Sequence, residues 1–165
     1  IPTLKPAFRK DGTVTAANAS SISDGAAALV LASRQAAQAQ GLKIRARILG
    51  HASHAQAPAH FPTAPVPAAR KLLDRLGWEK DSVDRWEVNE AFASVPLAWL
   101  KHTGADPEKL NVHGGAIALG HPLGASGARL ATTAVNQLHR SGGRYALCTM
   151  CIGVGQGIAL IIERV

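Results

Sequence analysis

The sequence predicts an α/β fold with a mainly parallel sheet, helices on its faces and a hairpin edge. Three observations carry this. From residue 43 onward the apolar pattern reads strand, helix, strand, helix, glycine-rich loop, helix, strand, strand. Apolar residues make up 47% of the 165 and charged residues only 18%, which allows a real core and excludes low-hydropathy disorder. The 16 glycines and an aromatic share of 4% point to close-packed layers joined by tight turns.

Residues 1–23 are rich in Pro, Gly, Ser, Thr and Asn and read as loop, with a short strand at Thr13–Ala16. The apolar run Ala26–Ala32 has the length of a buried strand, and Ser33 can cap a helix that ends at Gly41. Lys43–Ala52 reads as a strand, with Ile44, Ala46, Ile48 and Gly50 in phase. A loop from His51 to Pro65 holds three of the seven histidines. Pro67 suits the start of a helix through Leu72, Leu73 and Leu76, closed by Gly77. Arg85–Val88 is a short strand. Asn89 then opens a helix over Glu90–His102, with Pro96 inside implying a kink or a lost hydrogen bond. Val112–Gly127 reads as a long glycine-rich loop. Ala128–Arg140 is an amphipathic helix, with Leu130, Ala131, Ala134, Val135 and Leu138 on one face. Tyr145–Cys151 is a strand, Ile152–Gly157 a turn, and Ile158–Glu163 a last strand antiparallel to the one before.

The formal charge is +7, but the basic residues are scattered and no aromatics interleave to stack bases. This argues against nucleic acid, and the charge favours an anionic partner without naming one. Cys148 and Cys151 do not form the framework of a secreted disulfide protein. No apolar run has the length of a membrane span, and nothing resembles a signal or transit segment, so the expectation is a cytoplasmic protein.

Three segments can carry chemistry. Asn89-Glu-Ala-Phe-Ala93 lies at a strand-to-helix junction. Its Asn either caps the helix or, at a strand end where α/β proteins bind ligands, holds a water or a carbonyl. Gly114–Gly127 has five glycines in fourteen residues, so its backbone turns sharply or approaches a ligand closely. It lacks both the P-loop ending and the dinucleotide fingerprint. His121, held between Gly120 and Pro122, is either structural or a positioned imidazole. In Cys148–Gly157, residues three apart on a strand face opposite sides, which argues against a redox or zinc pair. Cys148 reads as a small core residue. Cys151 reads as a strand-end thiol that can ionise if a partner stabilises it.

These segments, in this order, resemble the thiolase family. Asn89-Glu-Ala-Phe, Gly114-Gly-Ala-Ile-Ala-Leu-Gly-His-Pro-Leu-Gly-Ala-Ser-Gly127 and Cys151-Ile-Gly-Val-Gly-Gln-Gly157 all match, as do Gly12–Ser20 and Asp24–Ala28. The resemblance covers essentially the whole chain. It implies the thiolase fold, here a C-terminal βαβαβαββ half-domain plus the tail of the N-terminal half. Residues 1–22 would be the loop-domain tail, 23–43 the end of the N-terminal domain, and 44–165 the C-terminal domain.

The resemblance also implies roles. Thiolases carry out a reversible Claisen condensation, or thiolytic cleavage of 3-ketoacyl-CoA, through an acyl-cysteine. His121 would activate the nucleophilic cysteine and donate to the thioester oxygen. Asn89 would hold the water that completes that oxyanion hole. Cys151 would be the acid/base thiol, and Gly153 would offer its N–H to the oxyanion of the acylated cysteine. Ser20 and Ala16 would lie near the pantetheine arm, while Ala91 and Phe92 would wall the acyl pocket. Coenzyme A thioester enters as substrate, with no separate cofactor or metal, and the full-length enzyme is expected to be a dimer or tetramer. Ala17, where Gly is usual, and Phe61–Pro65, where many members have Met-Gly-x-Gly-Pro, depart from the pattern. The family's nucleophilic cysteine has no counterpart here, so the chain alone is expected to be inactive. A non-catalytic thiolase-like protein that binds acyl-CoA, lipid or a partner is the alternative, and intact Asn89, His121 and Cys151 count against it. A ketosynthase-type relative would place a second His where Cys151 stands.

Overall fold

The computed structural model describes residues 3–165; Ile1 and Pro2, counted above in the loop-domain tail, lie outside the described residues. Four strands make one sheet: β1 (Ala46–Ala55), β2 (Arg85–Val88), β3 (Tyr145–Ile152) and β4 (Gln156–Arg164), in the order β1-β4-β3-β2. β2 and β3 are parallel, whereas β3–β4 and β4–β1 are antiparallel. The sheet is therefore mixed, which corrects the expectation of a mainly parallel one. The physical reason lies in β4. Ala159, Ile161 and Ile162 on it are all buried, so the strand is apolar on both faces and belongs inside the sheet, between β3 and β1, not at a hairpin edge.

The helices are α1 (Arg34–Ala39), α2 (Pro65–Leu76), α3 (Ser94–Thr103), the single turn α4 (Ala116–Leu119) and α5 (Leu123–Ser141). Ser33 caps α1 by accepting from the Ala36 N–H, as its type and place predict. Gly77 ends α2 at φ 66°, a left-handed position that glycine takes without penalty. α3 starts at Ser94, later than predicted, because Asn89 is not its cap. Pro96 consequently falls in the first turn, where its missing N–H would have had no intrahelical acceptor, and no kink is needed. α5 begins at Leu123, inside the stretch read as loop.

Two predicted strands are absent among the described residues. Thr13–Ala16 belongs to a turn in which Asn18 accepts from the Thr15 N–H and donates to the Thr13 carbonyl. Ala26–Ala32 has no strand partner among the described residues, and its Val30 is 89% exposed. Apolar composition alone cannot make a strand; a ladder partner is also required.

The sheet is sandwiched. On one face α2 and α3 bring Leu72, Val95 and Trp99 onto Trp86, Val88 and Ile161, with the two indoles 5.4 Å apart. On the other face α5 packs Leu130, Ala134 and Leu138 onto Ala146, Cys148 and Ile162. Cys148 and Cys151 fall in opposite cores, as a period of two demands, and both are free thiols. Beneath α5 lies a buried polar group. Gln137 donates to Glu87 Oε1 at 2.8 Å, and Arg129 Nη1 stands 3.8 Å from Glu87 Oε2. Burial dominates over Arg129 and Gln137 and pushes the Glu87 carboxyl up from 4.5 to about 7.

A carboxyl whose pKa is raised on folding favours the fold only while protonated. Its contribution is present in full below 4.5 and lost as pH rises to about 7. Glu87→Gln, which keeps an acceptor for Gln137, should remove that dependence. The stability difference between variant and parent, followed by urea denaturation, is expected to grow in the variant's favour by on the order of 3 kcal/mol between those limits. Taking the difference separates this group from Glu163, whose carboxylate Arg144 and Arg47 hold below its ordinary range.

Candidate active site

The site grows from the C-terminal ends of the parallel pair. Val88 stands opposite Thr149, and the Asn89 N–H donates to the Thr149 carbonyl at 3.0 Å. On its far side β2 has no full neighbouring strand among the described residues. Asn111, at φ 44°, takes that place: its side chain accepts from the Val88 N–H and donates to the Val88 carbonyl, each at 2.8 Å. The same amide donates to Glu90 Oε1 at 2.9 Å, and Glu90 Oε2 accepts from the Ile117 N–H at 3.2 Å. Glu90 thereby seats the start of α4, and Gly115 is required there because a Cβ would overlap the Glu90 carboxylate. Sequence reading missed Asn111. The available signal was its type, since Asn tolerates a positive φ and can imitate a strand's hydrogen bonding with its amide.

Freed from capping, the buried Asn89 side chain turns to the glycine loop, where its Nδ2 lies 3.2 Å from His121 Nε2. Asn89 Oδ1 is buried without a partner. Gly120, at φ 92°, turns the chain where a Cβ would collide with Ser23, and the His121 N–H donates to the Ser21 carbonyl at 3.3 Å. The other ring nitrogen, Nδ1, is 2.6 Å from Ser126 Oγ, and that hydroxyl donates to the Pro122 carbonyl at 3.0 Å. Burial, with the Arg129 guanidinium adding to it, lowers the His121 pKa and keeps the ring neutral.

Cys151 sits on β3 two residues beyond Thr149, paired with Gly157 of β4. Gly157 has no room for a Cβ because the Ala64 carbonyl group presses on it. Burial raises the Cys151 thiol above its ordinary value, partly offset by a backbone hydrogen bond. Burial also raises Cys148, with Glu87 adding to it. Gly153 opens the β3–β4 turn, followed by Val154 at φ 59° and Gly155 at φ 84°. Asn89 and His121 thus touch directly, and Cys151 stands at the end of the strand to which Asn89 is hydrogen-bonded.

The residues predicted near substrate also meet. The Ser20 N–H and hydroxyl both donate to the Ala91 carbonyl at 3.0 Å, and Ala19 bridges Phe92. The Phe92 ring is met edge-on by Phe8 at 5.9 Å and Phe61 at 6.3 Å. Ala16 lies in the Asn18 turn ahead of this cluster, and among the described residues no hydrogen bond joins it to Ala91. Among the described residues no three His, Cys, Asp or Glu side chains gather as a metal site, and no helix is long and apolar enough to cross a membrane.

A family model described as "Thiolase, C-terminal domain" matches residues 42–164, and "Thiolase, N-terminal domain" matches residues 1–35. Over 98% of its length the chain is 60% identical to a beta-ketoadipyl-CoA thiolase of Pseudomonas aeruginosa, covering 41% of that protein. It is 56% identical to a 3-oxoadipyl-CoA/3-oxo-5,6-dehydrosuberyl-CoA thiolase of Escherichia coli, again over 98% of the chain and 41% of the relative. The crystal structure of Bacillus anthracis acetyl-CoA acetyltransferase superposes with a TM-score of 0.96 at 44% identity, covering 99% of this chain and 42% of that one. Human mitochondrial 3-ketoacyl-CoA thiolase in complex with CoA superposes with a TM-score of 0.92 at 43% identity, with the same coverage. The chain therefore spans about two-fifths of the length of the relatives it matches.

The two thiols should differ in reactivity. Iodoacetamide is expected to label Cys151 slowly at neutral pH, the rate rising roughly tenfold per pH unit as the thiolate forms. Cys148 should stay unlabelled until the protein is unfolded. Peptide mapping by mass spectrometry checks both.

Proposed function

The chain belongs to the thiolase family and has its fold, and we propose that it supplies the acid–base half of an acyl-CoA C-acyltransferase site. The observation that carries this reading is the contact between the Asn89 amide and the His121 ring at the strand ends that also bear Cys151. A half-buried, neutral imidazole can take the proton of a nucleophilic thiol, and the thiolate then attacks the thioester carbonyl. The imidazolium that results donates to a thioester oxygen, aided by a water held on Asn89. The cysteine that carries the acyl group is not Cys148, whose buried thiol faces α5; it is supplied from outside these 165 residues.

In synthesis, Cys151 as thiolate removes a proton from the carbon alpha to the thioester, and in cleavage the thiol returns it. The enolate oxygen is stabilised by the His121 and Asn89 donors, and the oxyanion at the acylated cysteine by the Gly153 N–H. Coenzyme A thioester is substrate and no further cofactor takes part. Ser20 and Ala16 are assigned to the pantetheine side and Ala91, with Phe92, to the acyl pocket; the Ser20–Ala91 contact supports placing the two side by side. Phe92, braced by Phe8 and Phe61, supports an apolar wall for the acyl chain. The names of the Pseudomonas and E. coli relatives support a 3-oxoacyl-CoA as the substrate to be cleaved. The assembled enzyme would be a homodimer or homotetramer, and sedimentation checks that.

Grafted in place of the matching segment of the Pseudomonas relative, the chain is expected to support thiolysis of acetoacetyl-CoA or 3-oxoadipyl-CoA. His121→Ala and Cys151→Ala should each lower kcat by about 10³-fold, and Asn89→Ala by about 10²-fold. Full activity in the first two variants would overturn the acid–base roles, and an inactive graft would return the protein to the class of non-catalytic binders. Mixed with acyl-CoA, the 165-residue chain alone is expected to show no stoichiometric thioester by mass spectrometry.

A further inference from the structure

We propose that Ser126 is a positioning residue that fixes the tautomer of His121, holding the proton on Nδ1 so that Nε2 is free to act as the base. The inference rests on the acid–base reading above and goes beyond it, since Ser126 touches neither substrate nor reacting sulfur.

The argument is one of proton counting. Ser126 is wholly buried, so its hydroxyl must find its partners inside the protein. It has one proton to give and stands between two partners, the Pro122 carbonyl at 3.0 Å, which can only accept, and His121 Nδ1 at 2.6 Å, which can accept or donate. Giving the proton to Pro122 leaves the hydroxyl oxygen as acceptor for Nδ1–H. At the other end of the ring, Asn89 presents its amide nitrogen to Nε2 at 3.2 Å. An amide N–H can only donate, so Nε2 must offer its lone pair. Both ends therefore specify the same tautomer, Nδ1–H with a bare Nε2.

The Ser126 end of the ring works through the reaction without rearrangement. When a thiol S–H passes its proton to Nε2, Nδ1 keeps its own proton and its acceptor. The imidazolium that forms is hydrogen-bonded at Nδ1 by an oxygen whose own proton already points away. At the other end the Asn89 amide, 3.2 Å from Nε2, must give way to the new Nε2–H, which is then the proton offered to the thioester oxygen. The charged and titratable surroundings of the ring are few. Arg129 on α5 opposes the cation. Glu90, beside Asn89, spends its carboxylate on Asn111 and Ile117. The segment on the N-terminal side meets the His121 backbone N–H with the Ser21 carbonyl, and β3 carries the buried Cys151 thiol one residue before its end.

Ser126→Ala tests the assignment, in the grafted whole enzyme described above. Folding should survive, because the Pro122 carbonyl keeps its two backbone donors, Ala125 N–H at 2.9 Å and Ser126 N–H at 3.0 Å. The ring 15N resonances of His121 are expected to show an unprotonated Nε2 and a protonated Nδ1 in the parent, and a mixture of tautomers in the variant. kcat should fall about 10- to 100-fold with KM unchanged, the size of a hydrogen bond to a charged group. The acid limb of the kcat profile should move to lower pH, since the imidazolium loses more than the neutral ring. A protonated Nε2 in the resting parent, or a variant with the parent's resonances, rate and pH profile, would overturn the inference. Should the resonances behave as expected while His121→Ala retains full turnover, the tautomer assignment stands and the acyltransferase reading falls.

Discussion

The site depends on β3 being held from both sides in opposite senses. Its parallel pairing with β2 brings Asn89 to the Thr149 carbonyl, and its antiparallel pairing with β4 sets Cys151 against Gly157. Each partner fixes one functional side chain, and neither can slip without carrying that side chain to the opposite face of the sheet. The two cores then lock the arrangement. α2 and α3 cover the Cys151 face, and α5, which begins just past His121, covers the face that holds Cys148. The proposed acid–base groups are therefore delivered by the most constrained strand of the fold and by the loop that enters its longest helix.

Within this frame burial acts in one electrical direction. It lowers the imidazole and raises the thiol, so both groups rest in their uncharged forms. A site built this way carries no standing charge to desolvate, and charge appears only as protons move. The donors proposed for it, the Asn89 amide and the Gly153 N–H, would then be worth more than they would be in water. Arg129 and Glu87 extend the same logic below the loop, where a guanidinium and a carboxyl share a buried space with Gln137.

Much of this was legible in the sequence where a rule is local. Ser33, Gly77 and the alternation of Cys148 and Cys151 follow from caps and strand period, and the structure agrees. What escaped was decided at a distance. The place of β4 between β3 and β1 depends on which strand finds which, and no window of residues contains that. Asn89 has the right type for a cap, but its side chain found a better partner thirty-two positions away. Asn111 looked like loop punctuation, yet it stands in for a strand beside β2. Ala26–Ala32 carries a strand's composition without a ladder to join among the described residues. The catalytic candidates were visible because their motif is dense; the groups that orient them were not, because each is a single polar residue of common type.

The turn between β3 and β4 has one further implication. Val154 is a β-branched residue held at φ 59° and is largely exposed, a geometry that costs on the order of 1 kcal/mol and that asparagine or glycine would relieve. An engineer seeking heat resistance would choose that position early. Yet the strained peptide follows directly on Gly153, so a softer residue there would also loosen the aim of the neighbouring N–H. Thermostability and turnover would then be drawn from the same bend, and directed evolution toward either should find the other moving against it.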